Sequence, residues 1–180
     1  MALPTQDPLS LLHKMQLASR TNAPGLPEQV QTVVLWSGLG FRIADLALVA
    51  PLNQVSEVLP CPAITLVPGT RRWVKGIANV RGNLFTVIDL PEYFGMDPVA
   101  MSERARLLIM NAANLNAALL VNEVLGLRHF DEEQERADVS GLDGPVFAHV
   151  RGAFQRDDIL WGIFDMQSLA ASEAFINVAA

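Results

Sequence analysis

Residues 67–90 read VPGTRRWVKGIANVRGNLFTVIDL, and this stretch decides the fold class. Two short apolar runs, 75–80 and 84–88, are separated by the pair Gly82-Asn83. A two-residue separation that contains glycine is typical of a β-hairpin, because glycine adopts a positive φ at little cost. Gly76, near the start of the first run, indicates a place where a second stretch of backbone passes close to the strand. We therefore predict a β-hairpin that turns at Gly82-Asn83.

The same pattern of short apolar runs between turn residues continues through the chain after residue 30. The runs are 33–43, 46–50, 55–59, 75–80, 84–88, 106–110, 115–121, 124–130, 148–155 and 159–164. About ten short strands with almost no long helix predict an all-β barrel or sandwich. After the last run, Asp165 is expected to cap a short helix that reaches Ala170.

The N-terminal region has a different character. Residues 7–20 predict a short helix, with Asp7 as the N-cap and Pro8 at the first helical position. We divide the chain into an N-terminal extension with this helix (1–28), a main domain (29–173) and a C-terminal tail (174–180).

Charge and composition narrow the classes of partner. The net charge of −6 argues against a general nucleic-acid binder, which needs a basic surface to neutralise phosphates. A local basic run of Arg71, Arg72, Lys75 and Arg81 nevertheless keeps a small β-barrel that binds single-stranded nucleic acid as an alternative. The single cysteine, Cys61, fits a reducing compartment. With no signal peptide and no apolar run of membrane-spanning length, we expect a cytoplasmic protein without membrane insertion.

The sequence offers little for catalysis. His13, His129 and His149 are far apart, and there is no HExxH or CxxC spacing for a metal. Gly38-Leu39-Gly40 lies in a strand-like stretch and has no helix after it, so it does not fit a phosphate-binding loop. We therefore predict that the protein is not an enzyme and has no catalytic residue, cofactor or metal site.

Arg81 is the side chain that we single out, because it stands beside the predicted turn. Arginine is enriched at protein–protein hot spots, where its planar group offers several directed donors. The alternative is an ordinary surface arginine that pairs with Asp89 or Glu92. Local chemistry leaves both interpretations open.

Several blocks in order resemble the CheW family of chemotaxis coupling proteins. The central block is Val74-Lys75-Gly76-Ile77-Ala78-Asn79-Val80-Arg81-Gly82, followed by Thr86-Val87-Ile88-Asp89-Leu90. Flanking blocks are Pro51-Leu52-Asn53-Gln54-Val55-Ser56-Glu57-Val58 upstream, and Ala118–Gly126, His149–Ala153 and Ile163–Asp165 downstream. The resemblance covers roughly residues 33–172. Asn122 replaces the aspartate common in the family, which leaves any role of that carboxylate in doubt.

The resemblance implies two intertwined, five-stranded, SH3/OB-like β-barrels with a hydrophobic core between them. It also implies a non-enzymatic adaptor with two partners: the CheW-like regulatory domain of a CheA-type histidine kinase, and the cytoplasmic tip of a methyl-accepting chemotaxis receptor. Such an adaptor is recruited to membrane-associated receptor arrays. Trp36–Phe41, Trp73–Gly76 and the extension most resemble family members of the pathway that controls type IV pili and twitching motility. Flagellar chemotaxis is the alternative pathway.

Positions carried over from the family give two sets of site residues. The receptor-facing set is Val55, Glu57, Asn79, Arg81 and Gly82, in which Arg81 is the polar anchor and Val55 an apolar contact or a packing residue. The kinase-facing set, in the second barrel, is Leu120, Val124 and Gly126.

Overall fold

A computed structural model describes residues 35–112, 115–131, 133, 135–136, 139 and 144–178. The predicted helix 7–20 and the extension 1–28 lie outside the described residues. Most of the described chain is strand, so the all-β prediction is confirmed. None of the helices within these residues is long and apolar enough to cross a membrane.

The strands are short, as the apolar runs predicted. They are β1 (Leu35–Ile43), β2 (Leu46–Pro51), β3 (Val55–Pro60), β4 (Ile64–Thr65), β5 (Val74–Val80), β6 (Asn83–Asp89), β7 (Arg106–Met110), β8 (Ala117–Val121), β9 (Glu123–Asp131), β10 (Glu135–Arg136), β11 (Val150–Arg156) and β12 (Ile159–Phe164). The helices are α1 (Leu90–Tyr93), α2 (Met166–Ala170) and α3 (Glu173–Ile176), with 3₁₀ helices at Leu52–Gln54 and Pro145–His149.

The strands form two six-stranded sheets. Sheet A has the order β10-β11-β12-β2-β1-β9, and sheet B has the order β3-β7-β8-β6-β5-β4. The described chain begins in sheet A with β1 and β2, builds all of sheet B with β3 to β8, and returns to complete sheet A with β9 to β12, which confirms the intertwined arrangement. Each sheet contains five longer strands and one two-residue strand, β10 or β4. Strands this short leave no apolar run, so they are absent from the ten runs of the sequence analysis, and the five strands in each barrel that the resemblance implies correspond to the longer strands.

Among the described residues, buried side chains form three large clusters and one small one, Val139 with Ala153. One belongs to sheet B and includes Val87 and Leu107, and a second belongs to sheet A and includes Phe154 and Trp161. The largest cluster draws on both sheets, and its members include Phe41, Phe164, Leu108 and Leu119. It is the hydrophobic core between the barrels that the resemblance implies. We call it the central core.

Strand β8 shows how one strand serves two cores. All five of its residues are buried. Successive side chains of a strand point to opposite faces, so Leu119 enters the central core whereas Leu120 enters the sheet B cluster. The run Ala117–Val121 is therefore continuously apolar instead of alternating, as expected for a strand that is covered on both faces.

The predicted hairpin forms, but its turn lies one residue earlier than predicted. Val80 pairs with Asn83, so the two turn residues are Arg81 and Gly82. Their φ values are +51° and +88°, and positive φ at both central residues is typical of a type I′ turn. The Asn79 Oδ1 atom accepts a hydrogen bond of 2.9 Å from the Gly82 N–H and stabilises this register.

The close approach predicted at Gly76 is confirmed. Gly76 has a φ of +134°, and a Cβ atom added there would lie 2.1 Å from the carbonyl oxygen of Thr65 in the neighbouring strand β4. Only glycine fits this position without a shift of the backbone.

At the C-terminal end, the Asp165 cap is confirmed, because its carboxylate accepts from the N–H groups of Gln167 and Ser168. The predicted tail from residue 174 differs from the structure. Residues Glu173–Ile176 form helix α3, and Phe175 is only 1% exposed within the central core. The apolar stretch Ala174-Phe175-Ile176 is too short to show a helical period, so the sequence did not indicate the burial of Phe175.

Candidate protein-interaction site

Arg81 stands at the tip of the β5–β6 hairpin with 79% of its side chain exposed. Its Nη2 atom lies 2.7 Å from Oε1 of Glu57 in strand β3. The pairing with Asp89 or Glu92 that we weighed is wrong, because both of those carboxylates face Lys75 instead. Three of the four side chains in the basic run are thus matched with acids, since Arg72 also approaches Glu92, and the run is not a free cationic strip.

The ion pair gathers most of the predicted receptor-facing residues. Strand β3 is the first strand in the order of sheet B, and β5 is the fifth, so a contact from Glu57 to Arg81 requires the sheet to curl. Asn79 and Gly82 join the group through the turn hydrogen bond. Val55, at the start of β3, is half-buried and packs against the central core. Val55 therefore packs in the protein interior, whether or not it also contacts a partner.

The backbone of Arg81 is unfavourable for a residue with a side chain. A left-handed conformation costs roughly 1–2 kcal/mol for residues other than glycine, and less for asparagine or aspartate. The exposed ion pair with Glu57 stabilises the folded state by at most about 1 kcal/mol. The turn alone would favour Asn or Gly at this position. A strained arginine with an exposed head indicates that the side chain serves a purpose other than the turn.

Leu84 is a neighbour that the sequence analysis missed. It lies directly opposite Asn79 in the β5–β6 register and is 59% exposed. Residues that are opposite in an antiparallel pair lie on the same face of the sheet. Apolar surface thus lies close to the arginine at the hairpin tip, as is common at protein–protein hot spots. The signal was present in the sequence, since Leu84 follows the turn by two residues.

The structure separates the predicted kinase-facing residues. Leu120 lies in sheet B and is 1% exposed, so its side chain is not available to a partner, and we remove it from this set. Val124 and Gly126 lie in β9, at the edge of sheet A. Continuous apolar sequence does not distinguish a strand buried on both faces from an exposed one, which explains the error.

Strand β9 carries a bulge beside Gly126. Gly126 pairs with Gly40, and the next pair joins Val124 to Phe41, so Leu125 is the extra residue. Gly126 has a φ of +82°, with open space where a Cβ would lie. Leu127, which the sequence analysis missed, is 52% exposed at the same place. Bulges bend a strand and are common at sheet edges next to functional sites.

Asn122 resolves the question raised by the missing aspartate. Its Oδ1 atom accepts a 2.8 Å hydrogen bond from the N–H of Ala44, in the turn between β1 and β2. An amide oxygen and a carboxylate oxygen are both acceptors, so Asn122 can fill this position as an aspartate would.

The histidines of the described chain are engaged in pairs rather than clusters. Nδ1 of His129 lies 2.7 Å from Oγ of Ser37, and Nδ1 of His149 lies 3.0 Å from Oγ of Ser168. Burial lowers the pKa of His149, although Asp165 acts in the opposite direction. Within the described residues, no group of three or more His, Cys, Asp or Glu side chains is arranged to hold a metal ion. His13 lies outside them.

Comparison with known proteins agrees with this geometry. The sequence model of the CheW-like domain family matches residues 37–174 of this chain. Protein PilI of Pseudomonas aeruginosa is 36% identical over 97% of this chain and 97% of its own length. Chemotaxis protein CheW of Thermotoga maritima is 27% identical over 53% of this chain and 63% of its own.

A solved structure, that of scaffolding protein TtCheW from Thermoanaerobacter tengcongensis, superposes with a TM-score of 0.67 at 26% identity, covering 77% of this chain and 94% of that one. The fold, the order of the sequence blocks and these matches agree: the chain belongs to the CheW-like domain family.

Proposed function

We propose that this protein is a non-enzymatic, cytoplasmic adaptor that couples a methyl-accepting chemoreceptor to a CheA-type histidine kinase in receptor arrays. We assign it to the pathway that controls type IV pili and twitching motility, because its similarity to PilI extends over 97% of both chains. The observation that carries the adaptor role is the strained, exposed Arg81 at a rigid hairpin tip.

The receptor-facing surface consists of Glu57, Asn79, Arg81, Gly82 and Leu84, and Val55 supports it from below. Glu57 pairs with the Arg81 head, and the hydrogen bond from Gly82 N–H to Asn79 stabilises the turn that carries Arg81, before a partner arrives. A side chain that is already positioned loses less conformational entropy on binding than a free one. The guanidinium then donates to acceptors of the receptor tip, while Leu84 supplies apolar contact.

The kinase-facing surface is the β9 edge, which consists of Val124, Gly126 and Leu127. An edge strand leaves backbone N–H and C=O groups unpaired on its outer side, and these groups can pair with another chain. This surface belongs to sheet A and the Arg81 tip belongs to sheet B, so the two share no residue. An adaptor requires such separate surfaces in order to hold two partners at once.

Exchanging the charges of the ion pair tests the receptor contact. Arg81→Glu, Glu57→Arg and the double exchange are compared for binding to the cytoplasmic fragment of the receptor by co-sedimentation. If Arg81 contacts the receptor, the double exchange restores thermal stability but not binding. Recovery of wild-type binding in the double exchange would show that only the ion pair matters, and would overturn the contact.

Arg104→Glu is the matched control, because Arg104 is also exposed and its nearest acid, Glu123, is 3.9 Å away. It changes the net charge as Arg81→Glu does, and it is expected to leave receptor binding unchanged.

A flagellar chemotaxis adaptor is the second candidate, and the similarity to proteins named chemotaxis protein CheW favours it. Those matches cover only about half of this chain. Deleting the gene and scoring twitching against swimming separates the two pathways. Lost twitching with intact swimming supports the pilus pathway, whereas the reverse result overturns that assignment.

A further inference from the structure

A cleft of about 570 Å³ opens at the end of β5 that is opposite to Arg81. It lies between the start of β5, helix α1, the 3₁₀ helix before β11 and helix α3. The residues that line it are Arg71, Trp73, Tyr93, Phe94, Pro145, His149, Glu173, Ala174 and Asn177. Its volume is within the range of roughly 300–1,000 Å³ that is usual for ligand-binding clefts.

Aromatic rings form the walls of this cleft. The rings of Trp73 and Tyr93 meet edge to face, with centroids 5.1 Å apart and planes at 88°. Phe175 lies behind both, stacked on Trp73 and edge-on to Tyr93. Because Phe175 is fully packed in the central core, the two outer rings rest on a rigid base while remaining half-buried themselves. Surfaces lined by aromatic rings are the kind that dock proline-rich peptides.

The polar groups of the lining are mostly donors. Arg71, Trp73, Tyr93 and Asn177 contribute guanidinium, indole, hydroxyl and amide donors. In the described part of the chain, none of these four side chains donates to another side chain or to a backbone carbonyl. A polyproline II segment offers the complement, since its backbone has no internal hydrogen bonds and its carbonyl groups are free to accept.

The cleft is lined by one charge of each sign. Arg71 and Glu173 both line it, and neither forms an ion pair with another described residue. Burial lowers the pKa of the neighbouring His149, which disfavours a positive charge on that ring. A basic side chain is therefore favoured near Glu173 and disfavoured near Arg71.

We propose that this cleft binds an extended, proline-rich peptide segment of a partner protein, with a basic residue seated beside Glu173. The site does not depend on the adaptor role proposed above. Arg71 and Trp73 precede β5 and Arg81 follows it, so the seven residues of the strand place roughly 23 Å between the two ends at ~3.3 Å per residue. A segment in the cleft and a receptor at Arg81 can bind at the same time.

The test uses the full chain, labelled with ¹⁵N, and follows the N–H signals of its three tryptophan indoles. The probes are two acetylated and amidated peptides of ten prolines, with one arginine at the N-terminal or at the C-terminal end, because polyproline segments have two possible directions in a groove. A Gly-Ser peptide of the same length and charge is the control. We expect the Trp73 signal, assigned by its loss in Trp73→Phe, to move with at least one proline peptide and not with the Gly-Ser peptide.

Removing the negative charge of Glu173 tests whether the basic residue of the peptide lies beside it. Glu173→Gln is expected to weaken the arginine-bearing proline peptide about fivefold and to leave a ten-proline peptide without arginine unchanged. Asp157→Asn is the matched control, since it removes one negative charge from the exposed turn between β11 and β12, which does not line the cleft, and is expected to change neither affinity. Both variants lie at the surface, so the test does not depend on a variant that fails to fold.

Three outcomes would overturn the proposal. The first is no movement of the Trp73 signal at millimolar peptide, and the second is equal movement with the Gly-Ser peptide. The third is a shift of the Trp73 signal with protein concentration alone, which would mean that a second copy of the chain occupies the cleft. None of these outcomes affects the receptor-binding result for Arg81, so the two proposals fail independently.

Discussion

The two ends of strand β5 are built in opposite ways. At one end, Arg81 and Gly82 form a tight, exposed turn in which polar groups are held by an ion pair and one hydrogen bond. At the other end, Trp73 rests on Tyr93 and Phe175, and the surface is concave and aromatic. Between them, buried residues of β5 alternate with more exposed ones, and the strand has one irregularity between Val74 and Gly76. One strand can therefore carry a polar surface at one end and an aromatic surface at the other, because different elements stabilise its two ends.

The largest expected effect comes from removing the base of the aromatic end. Phe175→Ala leaves a cavity in the central core, and such a truncation of a buried phenylalanine costs about 3–5 kcal/mol. The free energy of unfolding from urea titration measures this cost. A loss below about 1 kcal/mol would mean that helix α3 is peripheral, as the predicted tail implied. Ile176→Ala, at an exposed position in the same helix, is the control and should cost little.

Gly76→Ala is expected to come next, and it acts on the strand that joins the two ends. The new Cβ would collide with the Thr65 carbonyl in a backbone conformation that alanine avoids, for a cost of about 3 kcal/mol. Unfolding in urea again gives the value. Gly69→Ala also places alanine at a positive φ, but with open space around it. A similar loss for both variants would show that φ, and not the close approach of β4, restricts Gly76 to glycine.

Arg81→Asn separates stability from binding at the polar end. Asparagine is favourable in a left-handed turn, and this gain offsets the lost ion pair, so we expect the free energy of unfolding to stay within about 1 kcal/mol. Receptor binding, measured by co-sedimentation, should fall at least tenfold because the directed donors are lost. Unchanged binding would indicate that the turn conformation matters more than the arginine.

The smallest expected effect is a pH dependence that originates at the aromatic end. Burial lowers the pKa of His149 in the folded state, so the unfolded chain takes up a proton at a higher pH than the folded chain does. Stability from this group is therefore present above about pH 6.5 and decreases as the pH falls below that value. His149→Gln should show a smaller drop in melting temperature between pH 7.5 and pH 5.5 than the wild type. An equal drop would assign the dependence to other groups.

Much of the candidate site was predictable from local sequence. The turn includes Asn79, Arg81 and Gly82, which lie within four consecutive residues. A turn of this kind depends on local residue types, so it can be predicted from the sequence. The turn was nevertheless placed one residue late, because Arg81 occupies a backbone conformation that its residue type disfavours. Glu57 was included through the family resemblance. Its ion pair with Arg81 joins residues 24 positions apart in sequence and depends on the curl of sheet B.

The cleft could not be predicted in this way. Its aromatic pair joins Trp73 to Tyr93, and its base, Phe175, comes from the last helix described. No periodic pattern connects these three residues. The burial of single residues is equally hard to predict from sequence. Leu120 and Leu127 are both leucines in strands with apolar residues, and only the packing decides that Leu120 is buried and Leu127 exposed.

The sequence by itself determined the all-β class, the positions of the longer strands, the Asp165 cap and the close approach at Gly76. These features follow from interactions between near neighbours in the chain: alternation of side chains, turn chemistry and the freedom of glycine. The tertiary structure was needed to show which apolar residues are exposed, which acid pairs with Arg81, and that helix α3 completes an aromatic cleft. Those outcomes depend on contacts between residues far apart in sequence, which form only when the two sheets pack around the central core.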